Sequence, residues 1–332
     1  MKLKRFFRLA AIICVICSFA LTAGAMEIFG VWHAGNDYCM WGTERDLVEF
    51  DSNNHWIIDR GDGVPSVNIV ILSFVNPLKL LNQTTDAETL NGVPRGMTQA
   101  MVDYFKDEGI RVMLSIGGFT YADFWTTALG QDATQLGLNA AAVAQNLGVG
   151  IEIDYEENTS PDLVGLQAFI DAYRSVLPYD ATGNNHAARL TIDLAAGDRY
   201  LIGICEKATS DWLSTSNPVL DYANAMVVAR PYRKGSDAIA NWQEHIDGKP
   251  QYAPPIPPLA PAKFTAGLYV AYTSILENCS DFFNSITYET GNYVETAAPN
   301  GAGVTSGLLG FMFWAAEQPG VRTVPTTPPN TC

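Results

Sequence analysis

The sequence predicts a protein of the α/β class, built as a single (β/α)8 barrel. Eight short runs of apolar, β-prone residues recur along the chain, and helical patterns separate several of them. Strands that alternate with helices favour a parallel sheet, and eight such units favour its closure into a barrel. Without its first 25 residues the chain of 332 keeps 307, enough for a barrel of roughly 250 residues plus loops.

Each expected element can be placed on the sequence. The strands are Ile28 to Trp32, Val67 to Phe74, Val112 to Ile116, Val149 to Asp154, Leu190 to Leu194, Ala225 to Val228, Phe264 to Val270 and Leu309 to Phe313. The clearest helices are Thr98 to Glu108, Asp132 to Leu147, Asp162 to Val176 and Ser236 to Ile246. An open doubly wound sheet is the alternative, but no strand is followed by a glycine-rich phosphate loop. Four prolines after Trp314 predict a weak or missing last helix.

The first 25 residues have the pattern of a secretory signal peptide. Four basic residues accompany an apolar run from Leu9 to Leu21, and Ala23-Gly-Ala25 fits an A-x-A cleavage site. An apolar run of 13 residues is too short to span a bilayer, which takes about 20. We therefore expect residues 26–332 to form an exported domain, extracellular or periplasmic, that is not held in a membrane.

The net charge of the chain limits the classes of partner that it can favour. The formal net charge is −15, and removal of the leader, with its four basic and no acidic residues, makes it −19. Such a surface repels polyanions, which excludes nucleic acid and anionic membranes as favoured partners. A neutral polysaccharide is compatible with this charge, and a monomer is expected.

The cysteines predict disulfides, and no metal or cofactor is expected. Cys39, Cys205, Cys279 and Cys332 follow the leader, so an oxidising compartment would allow two disulfides in any of three pairings. Their wide spacing lacks the CxxC pairs of a zinc site. The acidic stretch from Asp51 to Asp62 lacks the regular alternation and glycine of a calcium loop.

The most informative feature is a row of three acids, Glu152, Asp154 and Glu156. Side chains in a strand alternate between faces, so the three carboxyls share one face while apolar side chains occupy the other. Buried carboxyls at this spacing raise each other's pKa values, which leaves a protonated acid near neutral pH. A general acid needs this property, so the row predicts a catalytic constellation, and a solvated edge strand is the alternative.

A second motif precedes the acids, and together they resemble glycoside hydrolase family 18. Ser115-Ile-Gly-Gly118 ends strand three, and Gly150-Ile-Glu-Ile-Asp-Tyr-Glu156 forms strand four. They look like the S-x-G-G and D-G-x-D-x-D-x-E motifs of that family, and Gly310-Phe-Met-Phe-Trp314 resembles its strand-eight segment. The family includes chitinases and endo-β-N-acetylglucosaminidases.

The resemblance implies a role for each residue. Glu156 would donate the proton to the glycosidic oxygen and later act as the base for water. Asp154 would orient the N-acetyl group of the substrate, whose carbonyl oxygen is the nucleophile, and Glu152 would share a proton with Asp154. Trp314 would form the floor beneath the sugar ring, with core packing as the alternative. Ser115, Gly118 and Met226 would belong to the substrate-binding residues.

Strands four and six depart from the family pattern. Val149 stands where the family has its first aspartate, and Glu152 replaces the middle one. In strand six the expected tyrosine and its acidic or amide neighbour fall on Val228 and Ala229. We expect Arg230 or Tyr232, just downstream, to take over the missing contact with the acetamido group. An arginine there would lower the pKa values of the acids.

Other polar and aromatic residues are weaker candidates. His33 ends strand one and could line the cleft, although a hydrogen-bonded residue of the barrel mouth is the likelier expectation. Asp193 ends strand five and could face the site. The aromatic residues Tyr38, Trp41 and Trp56 could stack on sugars, but packing in the core or a loop is favoured.

The leading functional hypothesis is a secreted retaining glycosidase that cuts β-1,4 bonds next to N-acetylglucosamine in chitin or its oligomers. Two alternatives stay open. An endo-β-N-acetylglucosaminidase that releases N-glycans fits the altered strand six and an open groove, which we expect because only 38 residues separate strands seven and eight. A non-catalytic, chitinase-like carbohydrate-binding protein is the other, although the chain keeps Glu156.

Overall fold

A computed structural model describes residues 28–35, 37, 39–59, 63–195, 200–226, 242–269, 309–314 and 316–317. Eight parallel strands form a closed barrel in these residues, with helices around it. The predicted (β/α)8 fold is therefore confirmed. Each of the eight barrel strands overlaps one of the strands expected from the sequence.

The elements follow each other along the chain in the order expected of a barrel. The strands are β1 (Ile28–His33), β2 (Ile69–Val75), β3 (Thr89–Leu90), β4 (Val93–Pro94), β5 (Arg111–Gly117), β6 (Gly150–Asp154), β7 (Leu190–Leu194), β8 (Ala223–Ala225), β9 (Phe264–Tyr269) and β10 (Gly310–Trp314). The helices are α1 (Leu47–Ile58), α2 (Pro77–Leu81), α3 (Gln99–Lys106), α4 (Ala122–Leu147), α5 (Leu163–Val176) and α6 (Ile202–Lys207). Strands β3 and β4 form a separate small hairpin outside the barrel.

The barrel closes between its first and last strands. Its order is β1, β10, β9, β8, β7, β6, β5, β2, and β2 pairs again with β1. Ile28 is paired with Gly310 at the closure, where the two backbones lie so close that a Cβ on Gly310 would be 1.7 Å from the Ile28 carbonyl oxygen. Only glycine permits this approach of the two strands.

Apolar side chains pack on both sides of the strands. The larger cluster lies between the strands and the helices and includes Leu114, Ile151, Ile153 and Ile192. A smaller cluster lies inside the barrel and contains the following residues: Ile28, Trp32, Ile69, Ile71, Met113, Tyr222, Leu309 and Met312. Ile28, Ile69, Tyr222 and Leu309 lie at or directly before the first residue of their strands, so the interior is apolar at its lower end.

Helix α4 begins earlier in the chain than the sequence predicted. The sequence predicted a helix from Asp132, and the structure continues it back to Ala122 across a kink at Asp132. The carboxylate of Asp132 accepts a hydrogen bond from the backbone N–H of Gln135, so it caps the second half of α4. The predicted boundary is therefore a real interruption within a longer helix. Of the expected helix Ser236 to Ile246, residues 242–246 are helical, within a described helical segment at 242–247, and 236–241 lie outside the described residues.

Two of the four cysteines that follow the leader, Cys39 and Cys205, lie within the described residues. Cys39 and Cys205 are free thiols, so the expected pair of disulfides is wrong for these two residues. Burial raises the pKa of each thiol to about 11. Cys279, Cys332, the expected signal peptide, residues 270–308 and the chain after Glu317 lie outside the described residues. Among the described helices, none combines the length and apolarity that crossing a bilayer requires.

Strands β5 and β6 hold the acidic row through a glycine. Gly117 has a φ of 124°, and a Cβ there would lie 1.9 Å from the carbonyl oxygen of Asp154. Gly117 is also the register partner of Asp154. The close contact between these backbones fixes where the carboxyl of Asp154 enters the barrel.

We predict that Gly117→Ala lowers the free energy of unfolding by about 2 to 4 kcal/mol. The added methyl group must displace β6, and alanine is strained in the backbone conformation of residue 117. Gly130→Ala is the matched control, since a Cβ at this helical position meets no heavy atom within 4 Å. Urea denaturation of both variants measures the difference. Equal stability of the two would contradict the close packing of β5 on β6.

Candidate active site

The three acids of the row lie at the carboxyl end of β6, inside the mouth of the barrel. Glu152 is fully buried, Asp154 is 3% exposed, and Glu156 follows the strand in a half-buried position. The alternating residues Ile151, Ile153 and Tyr155 pack outward against the helices. The predicted two-faced strand is therefore present, and its acids do not point to bulk solvent.

Glu152 is held by donors from two other strands. Its Oε1 accepts a hydrogen bond of 2.8 Å from the indole N–H of Trp32, and its Oε2 accepts one of 2.6 Å from the side-chain amide of Asn224. The hydroxyl of Thr265 donates in turn to Asn224 Oδ1 at 2.5 Å. Burial raises the pKa of Glu152, and these hydrogen bonds oppose the rise.

Asp193 joins this group from β7. It is 3% exposed, and its pKa lies well above the usual range because it is buried next to Glu152. Asp193 therefore faces the site, as its position at the end of strand five allowed. Both oxygens of Glu152 accept hydrogen bonds from N–H donors, and these contacts favour its ionised form.

Asp154 lies between the two glutamates of the row. Burial is the largest cause that raises the pKa of Asp154 well above its usual range, followed by the charges of Glu156 and then Glu152. Its Oδ1 is buried and has no hydrogen-bond partner among the described residues. A buried oxygen without a partner is costly, so this atom is suited to a polar group supplied from outside.

Glu156 has the protonation behaviour of an acid that works near neutral pH. Burial raises its pKa to about 7, against hydrogen bonds that lower it. The hydroxyl of Tyr200 donates one of these bonds to Oε2 at 3.0 Å, and the backbone N–H of Phe119 provides another. A carboxyl with this pKa can give up a proton and take it back at one pH.

Three residues expected to bind substrate lie on or directly after strands β5 and β8. Ser115 is fully buried and is the register partner of Glu152. Gly118 has a φ of 92°, and its backbone N–H donates to the carbonyl oxygen of Asp154 at 2.9 Å. Met226 directly follows β8 and is buried, and its N–H donates to the Leu194 carbonyl at the end of β7. Ser115 and Gly118 therefore adjoin the acids through the backbone of β5 and β6.

Aromatic side chains stand at the barrel mouth. Trp314 is partly exposed at the end of β10, stacks on Phe74 with ring centroids 5.7 Å apart, and meets Trp32 edge to face. Because Trp32 binds Glu152, Trp314 is one side chain away from the acidic row. Phe119 is 71% exposed directly after the glycine pair of β5.

The histidine and two of the aromatic candidates from the N-terminal part have structural roles. His33 is buried, its Nε2 donates to Asn54 Oδ1 at 2.9 Å, and its Nδ1 accepts from the N–H of Gly35. Burial lowers its pKa to about 4, so His33 is a neutral, hydrogen-bonded residue of the barrel mouth. Trp41 is buried against His33, and Trp56 packs on the core.

Some expected site residues lie outside the described part of the chain. The structure also brings residues to the site that were not predicted from the sequence. Arg230 and Tyr232 lie outside the described residues, as do Val228, Ala229 and Tyr38. Sequence reasoning missed Trp32, Asn224, Thr265 and Tyr200. Asn224 lies two residues before Met226, so the two-residue period of a strand could have placed it on the same face. Tyr200 lies in a loop, where no such period applies.

Comparison with known proteins identifies the fold. No family model matches the sequence, and no curated protein is significantly similar to it. A GH18 chitinase from Pseudoalteromonas aurantia matches the structure with a TM-score of 0.55 at 16% identity, over 86% of this chain and 93% of that chain. A chitinase from Rhizomucor miehei matches with a TM-score of 0.51 at 14% identity, over 76% and 89%.

The Group IV chitinase of Ostrinia furnacalis, solved in complex with allosamidin, matches with a TM-score of 0.50 at 12% identity, over 88% of this chain and 92% of that chain. The chain therefore has the chitinase-like glycosidase fold of glycoside hydrolase family 18, and its predicted resemblance is confirmed at the level of the fold.

We predict that Glu156→Gln changes how stability depends on pH. A carboxyl whose pKa rises from about 4.3 in the unfolded chain to about 7 in the folded one stabilises the fold below pH 4.3 and loses that contribution as pH rises to 7. Glu156→Gln should therefore raise the melting temperature by a few degrees at pH 8 and by less at pH 5.

Glu157→Gln is the matched control for this test, with the opposite sign. Backbone N–H groups of Ser160 and Thr159 lower the pKa of Glu157, so its carboxylate stabilises the fold at higher pH and this contribution is lost on acidification. Thermal denaturation at both pH values separates the two variants. A Glu156→Gln curve parallel to that of the unmodified protein would show that Glu156 titrates with an ordinary pKa.

We predict that Asn224→Ala lowers the free energy of unfolding by about 2 to 4 kcal/mol, because it removes a donor from a buried carboxyl and a partner from Thr265. The exposed Asn146, replaced by alanine, is the control and should change stability by less than about 0.5 kcal/mol. Denaturant titration provides the comparison. If both variants are equally stable, the contact between Asn224 and Glu152 contributes nothing to the fold.

Proposed function

We propose that this protein is a glycoside hydrolase that cleaves β-1,4 linkages next to N-acetylglucosamine, with chitin or its oligomers as substrate. The observation that carries the proposal is the pair Asp154 and Glu156 in the barrel mouth. One offers a buried oxygen without a partner among the described residues, and the other is a carboxyl with a pKa of about 7. The shared fold with GH18 chitinases supports this reading.

In the proposed reaction Glu156 donates its proton to the glycosidic oxygen. The carbonyl oxygen of the substrate's own acetamido group attacks C1 as the bond from C1 to the leaving oxygen breaks, and an oxazolinium ion forms. Asp154 accepts a hydrogen bond from the acetamido N–H and stabilises the positive charge. Water then attacks C1, the bond from C1 to the acetamido oxygen breaks to restore the acetamido group, and the water gives its proton to ionised Glu156, so the configuration at C1 is retained.

The mouth offers apolar surfaces on which sugar rings can lie. We propose that Trp314, backed by Phe74, forms the floor, since its ring is partly exposed and it contacts Trp32, which binds Glu152. Phe119 presents an exposed ring next to the backbone amide that binds Glu156. Apolar ring faces of this kind suit the carbon face of a neutral sugar. Met226 belongs to the proposed binding residues through the sequence resemblance. Arg230 or Tyr232 is proposed to replace the tyrosine that strand six lacks.

The setting of this activity is also a proposal. The leader of residues 1–25 supports export to an extracellular or periplasmic location, and the acidic chain supports a neutral glycan as partner over nucleic acid. We propose that the exported domain acts as a monomer without a cofactor or metal.

Glu156→Gln should reduce kcat on chitin oligomers by about 100-fold or more, because it removes the general acid while keeping the shape of the side chain. Glu157→Gln, one residue away, should leave kcat within about twofold, because no step of the proposed reaction uses Glu157. Product release by the folded domain 26–332 is the measurement. Undiminished turnover in Glu156→Gln would remove Glu156 from the role of acid.

A panel of glycoproteins, assayed beside the chitin oligomers, tests the substrate class. Hydrolysis of the oligomers supports the proposal, and release of N-glycans in its place would assign the protein to the endo-β-N-acetylglucosaminidases. Binding of oligomers without any product would identify a carbohydrate-binding protein on the same fold.

A further inference from the structure

Tyr200 contacts the acid of the site from a different strand connection. It lies between β7 and α6, and its hydroxyl is 3.0 Å from Glu156 Oε2 and 3.3 Å from the backbone carbonyl oxygen of Glu156. It is a side-chain partner of Glu156 within the described part of the chain. The sequence resemblance assigns no role to it.

The position of Tyr200 is fixed by its neighbour in the chain. The backbone N–H of Leu201 donates to Asn158 Oδ1 at 2.6 Å, so two successive residues of this connection bind the segment that follows β6. Leu201 is buried and has a φ of 53°, an unfavourable conformation for a branched residue. Such strain is retained where the surrounding contacts determine it, which indicates that the connection is held against Glu156 and Asn158.

The geometry determines which oxygen of Glu156 can hold a proton. The hydroxyl has a single hydrogen, and the shorter of its two contacts is to Oε2. The carboxyl oxygen that accepts this hydrogen bond is less basic than the other oxygen, so it is less able to carry the carboxyl's own proton. The contact with Tyr200 therefore favours Oε1, which this hydroxyl does not reach, as the oxygen that carries the carboxyl's own proton.

We propose that Tyr200 is a positioning residue of the acid/base: its hydroxyl donates to Glu156 Oε2 and so confines the transferable proton to Oε1. This inference rests on the proposed function and deepens it. In the first half of the reaction the contact presents the proton on one defined atom. In the second half it stabilises the carboxylate that must accept a proton from water.

The test uses Tyr200→Phe, which removes the hydroxyl and keeps the ring. Tyr104→Phe is the matched control, because the Tyr104 hydroxyl makes a similar bond of 2.7 Å to Asp51 Oδ1 between α1 and α3, away from the row of acids. Titration of the Glu156 side-chain carboxyl by carbon-13 NMR gives its midpoint without any need for activity. Chitin-oligomer kinetics over pH give kcat and KM separately.

In Tyr200→Phe we expect the Glu156 midpoint to rise by about 0.5 to 1 pH unit, since a donor to the ionised form is lost. We expect kcat to fall about tenfold with KM within about threefold, and the alkaline limb of the pH profile to move upward with the midpoint. Tyr104→Phe should change neither quantity. An unmoved midpoint, or a moved midpoint with unchanged kcat, would overturn the proposal.

The experiments distinguish a failure of the proposed function from a failure of the proposal for Tyr200. If the unmodified protein hydrolyses no oligomer, the proposed function is wrong, and the NMR midpoint alone decides whether Tyr200 controls Glu156. If Tyr200→Phe does not fold, Asn158→Ala takes its place, because it frees the connection at Leu201 while keeping the hydroxyl. A smaller rise of the midpoint in Asn158→Ala supports the role of Tyr200, and an unchanged midpoint contradicts it.

Discussion

Four carboxyl groups share the mouth of this barrel, and their mutual repulsion is the constraint on which the site depends. Glu152, Asp154, Glu156 and Asp193 are buried or half-buried at the ends of two adjacent strands. They cannot all be ionised in a medium of low dielectric constant, because burial and like charge both favour the neutral form. The donors from Trp32 and Asn224 determine where a negative charge is best tolerated.

The closed barrel supplies hydrogen-bond donors to the acids that strand β6 alone could not provide. The acids alternate along β6, but the hydrogen bonds that hold them come from β1, β8 and the connection after β7. Close backbone contact at Gly117 fixes the position of Asp154, and the smaller apolar cluster fills the lower part of the interior. The same closure that stabilises the fold therefore brings together the donors that hold the acids.

Sequence reasoning could predict the features that depend on local period. The eight strands follow from apolar runs, and the inward acids follow from the two-residue repeat of β6. The partners of those acids could not be predicted in the same way. Asn224 is 72 residues from Glu152, and only the closed barrel brings them together. Tyr200 is in a loop, where neither period nor propensity indicates the direction of a side chain.

The expectations that concerned single residues had mixed outcomes, for physical reasons. Trp41 and His33 were expected to pack rather than bind, and both have hydrogen-bond partners that hold them in the core. The cysteines were expected to pair because their number was even, but an even count states nothing about distance or direction. Charge, by contrast, concerned the whole chain and could be read from composition alone.

A crystal structure of Glu156→Gln with a bound N-acetylglucosamine oligomer would show whether the barrel mouth binds the substrate as proposed. We expect a sugar over Trp314, its acetamido N–H within hydrogen-bond distance of Asp154 Oδ1, and the scissile oxygen next to residue 156. An oligomer bound away from the barrel mouth, or one whose acetamido group points away from Asp154, would contradict this expectation.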